Sequence, residues 1–382
     1  MGLRESGFAF LMVAFPIFLI GLCARASSNM VQTTLPILGR YVFGLGPFYG
    51  GLAISVYNVL GIFGNYVVNP RLSGRTQRRS VLALTAAVAV SSLLLTFSGP
   101  VTAVILGGVI GFSFGIIFPS VITTVSLTGG KDGERLLALF TTALTMSLVL
   151  GPILESYILT FSYRLVFLFF SFVAAAMFLS SLKVRFATTS KQSLKTTPAS
   201  RKGVYAGTLV TSVFYLPFAA LTAFLPLYAA QVFGTDASAS YLSFVPLFAV
   251  SVCVRAFMTI RPFKRLRLPI LVSILISALG LAAMVYAPSY AAFLVVMAFF
   301  GIPHGITYTV SLIVVSRTSA EGERNAAVSL LSAYTNLVYV AVPVVMGYII
   351  ERAGIQPAFL LLLVPTVGFS ILLLRRYRSQ LF

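Results

Sequence analysis

Four ionisable residues stand inside long apolar runs of this chain: Arg25, Glu155, Arg255 and His304. Charge is costly in such surroundings, so each is by default a candidate for chemistry. A guanidinium offers a carboxylate or phosphate two parallel hydrogen bonds. An imidazole can touch a ligand or carry a proton, and a buried carboxyl can exchange one. His304 lies about 14 residues into its run, near the middle at about 1.5 Å per residue, with Thr307 and Tyr308 a turn away. The opposing reading is a neutral imidazole bonded to a helix backbone.

For the other three, depth decides. If the first span starts near Gly7, Arg25 is about 27 Å along it and snorkels to the outer surface; if the helix continues to Leu38, it faces the cavity. Arg255 precedes Arg261 by six residues, about 9 Å, so it either snorkels to the basic loop or binds solute. Glu155, some 20 residues beyond Arg135, is either a proton-coupling carboxylate or an exposed end residue. Asn29, Gln32, Asn58, Asn65, Tyr215, Tyr334 and Asn336 could complete a cavity or bond between helices.

The elements that must position these groups are membrane spans. With 58% hydrophobic and 9% charged residues, the chain cannot coat a soluble globule of 382 residues. Runs of about 20 apolar residues occur twelve times, at 7–36, 47–69, 80–98, 100–127, 136–160, 164–182, 204–231, 238–260, 268–287, 290–316, 325–350 and 356–374. Arg4, the run Phe8 to Leu22 and the pattern Ala24-Arg25-Ala26 imitate a cleavable signal peptide. Its removal would leave the span at 204–231 without a counterpart, so the first run is read as a retained span.

A net charge of +19 invites a nucleic-acid reading, which the positions of the charges exclude. Numbering the loops from an inside amino terminus puts 22 of the 27 Lys and Arg on one side. Arg40, Arg164 and Arg352 fall on the other. This positive-inside bias predicts a multi-pass protein of the cytoplasmic membrane with both termini cytoplasmic.

The chain also repeats itself. LPILGRYVFG at 35–44 returns as LPLYAAQVFG at 225–234, and the same offset of 190 carries Arg71 onto Arg261 and Arg75 onto Arg265. Gly133-Glu134-Arg135 reappears, shifted by one, as Gly322-Glu323-Arg324. The ionisable four have no such twins: Arg25 matches Tyr215, Glu155 matches Val345, Arg255 matches Asn65 and His304 matches Phe114. The expected fold is therefore an all-α integral membrane protein with twelve transmembrane helices in two pseudo-symmetric six-helix bundles, 1–182 and 204–382, joined by a cytoplasmic linker at 183–203. Gly107, Gly108, Gly111 and Gly115 read as packing positions, with a rocking hinge as the alternative.

Local motifs carry a specific resemblance. Arg71-Leu72-Ser73-Gly74-Arg75, trailed by Arg78 and Arg79, resembles the Asp-x-x-Gly-Arg loop signature of the major facilitator superfamily, with Arg71 at the Asp position. The Glu-Arg pairs at 134–135 and 323–324 resemble those the family places after its fourth and tenth spans, and Tyr163-Arg164-Leu165-Val166-Phe167 is similar to the step that opens its sixth. Gly151-Pro152-Ile153-Leu154-Glu155-Ser156 falls where the family's proton-coupled drug antiporters carry Gly-Pro-x-x-Gly-Gly, and departs from that pattern at Glu155-Ser156. The resemblance implies a solute site near the midplane between two bundles and alternating access by rocking. Several anion carriers of the family place an Arg in the eighth span, as Arg255 is here.

These observations point to a secondary active transporter, a symporter or antiporter, of a small organic solute, leaning to an organic anion. The expected solute contacts are Arg25, Arg255, His304, Tyr308, Tyr215, Asn58 and Asn336, with Glu155 or His304 coupling protons or another ion. Arg71, Arg75, Arg261 and Arg265 with Glu134 and Glu323 read either as inner-gate latches or as solvated interfacial charges. The alternatives are efflux of hydrophobic or amphipathic compounds, and a non-transporting sensor. Enzyme chemistry finds no footing: nothing pairs with the single His304 as a triad, and no phosphate loop or metal-ligand cluster occurs. No cofactor or nucleic acid is expected; lipids, a solute and a coupling ion are, for a monomer.

Overall fold

In a computed structural model, which describes residues 2–72, 74–127, 130–184, 197–260, 263, 265–319 and 324–377, the described chain is helical with short connections. The helices are α1 (Gly2–Tyr41), α2 (Pro47–Phe63), α3 (Gly74–Leu95), α4 (Pro100–Leu127), α5 (Gly130–Leu159), α6 (Tyr163–Leu182) and α7 (Pro198–Phe233). They continue as α8 (Ala237–Leu242), α9 (Phe244–Ile260), α10 (Arg267–Val285), α11 (Tyr290–Thr318), α12 (Arg324–Ala353), α13 (Ile355–Leu361) and α14 (Leu363–Arg376). Twelve segments among the described residues are long and apolar enough to cross a membrane.

Departures from the expected spans have identifiable causes. α1 does not stop at Pro36 but runs to Tyr41, and Pro226 likewise lies inside α7. Neighbouring helices re-satisfy the carbonyls that a proline frees in an apolar interior. The eighth and twelfth spans are instead each broken in two. Pro246 has no N–H to give Leu242, and Pro365 has none for Leu361; α8 and α13 end at those two residues. The second span leaves α-helical geometry early, passing through a wide turn at Gly64–Val68 and a tight one at Asn69–Arg71. The linker is shorter than expected, because Thr197 caps α7 by accepting from the Ser200 N–H and residues 198–203 are helical.

The chain forms two compact units, residues 1–45 with 53–191 and residues 46–52 with 192–382. In the first, α1 packs on α5 and α6, and α3 on α4 and α6. In the second, α11 packs on α7, α9 and α10, while α7 also meets α12 and α14.

The duplication has a structural reason at its glycines. Gly44 and Gly234, the last residues of the repeated decapeptide, have φ of 67° and 66°, a left-handed turn that ends the first helix of each copy. Deeper in, an added Cβ at Gly111 would lie 2.1 Å from the Tyr57 carbonyl oxygen, and one at Gly115 would lie 2.1 Å from that of Gly61. At the same offset of 190, Gly301 meets the Leu247 carbonyl at 2.4 Å and Gly305 that of Ser251 at 3.1 Å. Backbone-to-backbone packing of α4 on α2 recurs as α11 on α9, the close approach small residues permit in lipid. Gly111→Ala and Gly301→Ala should each destabilise the protein by about 1–3 kcal/mol. Gly368→Ala, where an added Cβ meets nothing within 4 Å, should not. Thermal unfolding in detergent checks the contrast.

Candidate solute and coupling sites

Most hydroxyls inside the helices are satisfied by their own backbone: Ser113 donates to the Val109 carbonyl, Thr124 to Ser120, Ser273 to Pro269 and Thr307 to Pro303. Those that reach another helix mark the unusual places. In the first unit, Ser27, Ser28, Asn29, Gln32, Thr33 and Thr34 of α1 are all buried. Thr33 Oγ1 donates across to Glu155 Oε2 at 2.9 Å. Glu155 is 0% exposed, and its other oxygen, Oε1, meets no hydrogen-bond donor among the described residues. The exposed-end reading of Glu155 is therefore corrected. The residue stands only four positions before the end of α5, and α1 reaches it there through Thr33.

Position along the span places Arg25. Within the span Met12–Tyr41 it is 13 residues from one end and 16 from the other, about 20 Å or more from either at 1.5 Å per residue. That distance is beyond the reach of a snorkelling side chain. Arg25 is half-buried and stands about one helical turn before Ser28, on the same face of α1. Tyr57 in turn pairs with Ser28 Oγ at 2.7 Å, and Gln32 Nε2 donates to the Ser28 carbonyl at 3.3 Å. A guanidinium thus stands beside a chain of polar groups at mid-span. Asn58 is half-buried and donates to the Ile54 carbonyl of its own helix at 2.9 Å.

In the second unit His304 is buried on α11, its Nδ1 2.8 Å from Ser251 Oγ of α9. Phe218, Phe248 and Phe214 surround the imidazole with ring centroids at 4.2, 5.5 and 6.2 Å. One turn on, Tyr308 lies 5.7 Å from Tyr215, which lies 6.0 Å from Tyr339. His304, Tyr308 and Tyr215 therefore share one aromatic cluster. Thr307 does not join it, being buried with its hydroxyl bonded to Pro303. Arg255 is half-buried, five residues from the end of α9 and so about 8 Å from it; a shallow, snorkelling position fits that depth. Asn336 is half-buried on α12, and Tyr334 pairs with Ser212 of α7.

Sequence reasoning missed Ser251, Phe218 and Tyr339. Ser251 had a signal, one helical turn before Arg255 on the same face. The aromatic pair had none among so many Phe and Tyr. Of the gate residues, Arg71 and Arg265 are exposed, and Arg71 donates to the Val67 carbonyl of its own segment. Arg261 and Glu323, and the side chains of Arg75 and Glu134, lie outside the described residues.

A sequence profile described as Major Facilitator Superfamily matches residues 17–267 and 256–380. The chain belongs to the major facilitator superfamily. Solved structures agree on the fold of this superfamily member. A POT family transporter in complex with a thioalcohol-conjugated peptide is 10% identical and superposes with a TM-score of 0.80 over 96% of each chain. A mutant of the nucleoside transporter NupG is 13% identical, TM-score 0.73, covering 95% of this chain and 99% of its own. A bacterial homologue of the human lysosomal transporter Spinster is 13% identical, TM-score 0.72, covering 99% of this chain and 98% of its own. No curated protein sequence matches. The protein is thus a multi-pass membrane transporter of this superfamily, with identities too low to carry a substrate across.

Thr33 supplies the only hydroxyl bonded to Glu155 among the described residues. Thr33→Val should cost about 1–3 kcal/mol by stranding a buried carboxyl, and Thr33→Val with Glu155→Leu should recover most of it. A double-mutant cycle of thermal unfolding reads the recovery.

Proposed function

We propose that the protein is a proton-coupled secondary transporter of a small organic anion. The observation that carries this reading is Arg25, a half-buried guanidinium about 20 Å or more from either end of its span and one turn before Ser28, whose hydroxyl pairs with Tyr57. A cation held so deep is retained for a counter-charge, and a carboxylate fits its planar fork. In the second unit His304 with Tyr308 and Tyr215 is a candidate solute surface of its own, polar at the imidazole and flat at the rings. Glu155 is the coupling group, because its buried Oε1 is a proton-accepting atom with no donor among the described residues. Alternating access driven by an ion gradient follows for a chain with no nucleotide-binding motif. The plasma membrane, with both termini cytoplasmic, is the location the charge bias supports.

The aromatic cluster of Tyr215, Phe218, Tyr308 and Tyr339 favours one second reading, efflux of amphipathic compounds. A thermal-shift screen of organic acids, sugars and lipophilic cations, followed by counterflow in proteoliposomes with the best ligand, separates the two. Carboxylates should stabilise the purified protein, and Arg25→Gln should lower counterflow by about tenfold or more. Glu155→Gln should keep exchange while losing accumulation driven by a pH gradient. Stabilisation by lipophilic cations, with transport indifferent to Arg25 and Arg255, would instead establish efflux.

A further inference from the structure

A second site lies away from these residues, at the end of the second unit where α7 and α12 begin and α14 ends. Tyr205 and Tyr377 approach there at 6.2 Å, and Ala206, Leu266, Leu373 and Tyr377 share one apolar cluster. A cavity of about 400 Å³ opens on this end, with α7 as its floor and α12 and α14 contributing its sides. Its mouth is basic. Arg201 lines it, and Arg376 holds its guanidinium over the Tyr205 ring, 5.4 Å from the centroid. Its walls are apolar, formed by Leu209, Leu330 and Phe369, and no acid is present among the described lining residues. The Ser212–Tyr334 hydrogen bond joins floor to wall at the deep end. From Arg201 to Ser212 is eleven residues of helix, about 16 Å at 1.5 Å per residue.

We propose that this cleft binds one anionic phospholipid, its phosphate between Arg201 and Arg376 and the first part of an acyl chain along Leu209, Leu330 and Phe369. The charge favours an anionic over a zwitterionic headgroup, since two guanidiniums stand at the mouth and the described lining residues include no acid. The length and lining select against a free anion. A phosphate ion would fill only the mouth and leave Leu209, Leu330 and Phe369 uncovered. A headgroup followed by an acyl chain matches both ends of the cleft, and the loop bias already places this end toward the leaflet that attracts basic residues.

Native mass spectrometry of the purified full-length protein tests this with phosphatidylglycerol and phosphatidylcholine of matched chains, and with glycerol phosphate as a soluble headgroup. Wild type should retain one phosphatidylglycerol in preference to phosphatidylcholine and show no retained glycerol phosphate. Arg201→Ala and Arg376→Ala should each weaken retention by about fivefold, while the Lys versions keep most of it. Thr208→Phe, which narrows the cleft without altering charge, should also release the lipid. Arg79→Ala, an exposed basic residue of the first unit, should not. Unfolding temperature and monodispersity establish that each variant is folded. Equal retention of both lipids, equal retention of glycerol phosphate, undiminished lipid in the Arg variants or in Thr208→Phe, or an equal loss in Arg79→Ala would each overturn the site.

Discussion

A bilayer core offers no hydrogen bonds, so every polar atom placed inside it must be satisfied by the protein or by what the protein carries. That single constraint orders this molecule. It explains why Ser113, Thr124, Ser273 and Thr307 turn their hydroxyls back onto their own helices. It also makes the exceptions informative: Ser28 with Tyr57, Thr33 with Glu155, and Ser251 with His304 bond between helices. Two of these pairs hold an ionisable residue, and the third stands beside Arg25.

The same solvent removes the hydrophobic effect as a force between helices, which leaves close packing to hold them. Hence the glycines at 111 and 115 and their counterparts at 301 and 305, each pressed on a neighbouring backbone. The rocking-hinge alternative for this glycine stretch has a competing demand to answer: a residue in contact with another backbone at 2.1 Å from its missing Cβ is fixed by that contact. One position shows how scaffold and chemistry share a site. Gly61 and Ser251 are counterparts at the offset of 190, and both lend their carbonyls to a helix crossing. Only Ser251 has a hydroxyl, and it is bonded to His304.

Much of the scaffold was legible because lipid imposes a crude grammar of length and hydropathy. All twelve spans, the family and the packing role of Gly111 and Gly115 could be read from residue types alone. What could not be read was depth near helix ends. The expected first span ends at 36 but the helix runs to Tyr41, and Glu155 stands four residues from the end of α5 yet is buried, because burial there depends on a neighbouring helix. Proline ended helices at Leu242 and Leu361 yet passed through α1 and α7, and only neighbouring helices decide between these outcomes. Partners were equally hidden. Nothing in the sequence distinguishes Phe218, 4.2 Å from the His304 ring, from the other phenylalanines of the chain.

The account comes to one claim: the repeat builds the scaffold, and the residues that break it handle the solute. Exchanging those residues for their own counterparts tests this directly, with Arg25→Tyr and His304→Phe measured together for unfolding temperature and for counterflow of whichever acid most stabilises the wild type. The account predicts a folded, monodisperse protein that loses no more than the buried His304–Ser251 hydrogen bond contributes, about 1–3 kcal/mol, and whose transport falls below about a tenth of the wild-type rate. Undiminished counterflow in that variant would contradict it.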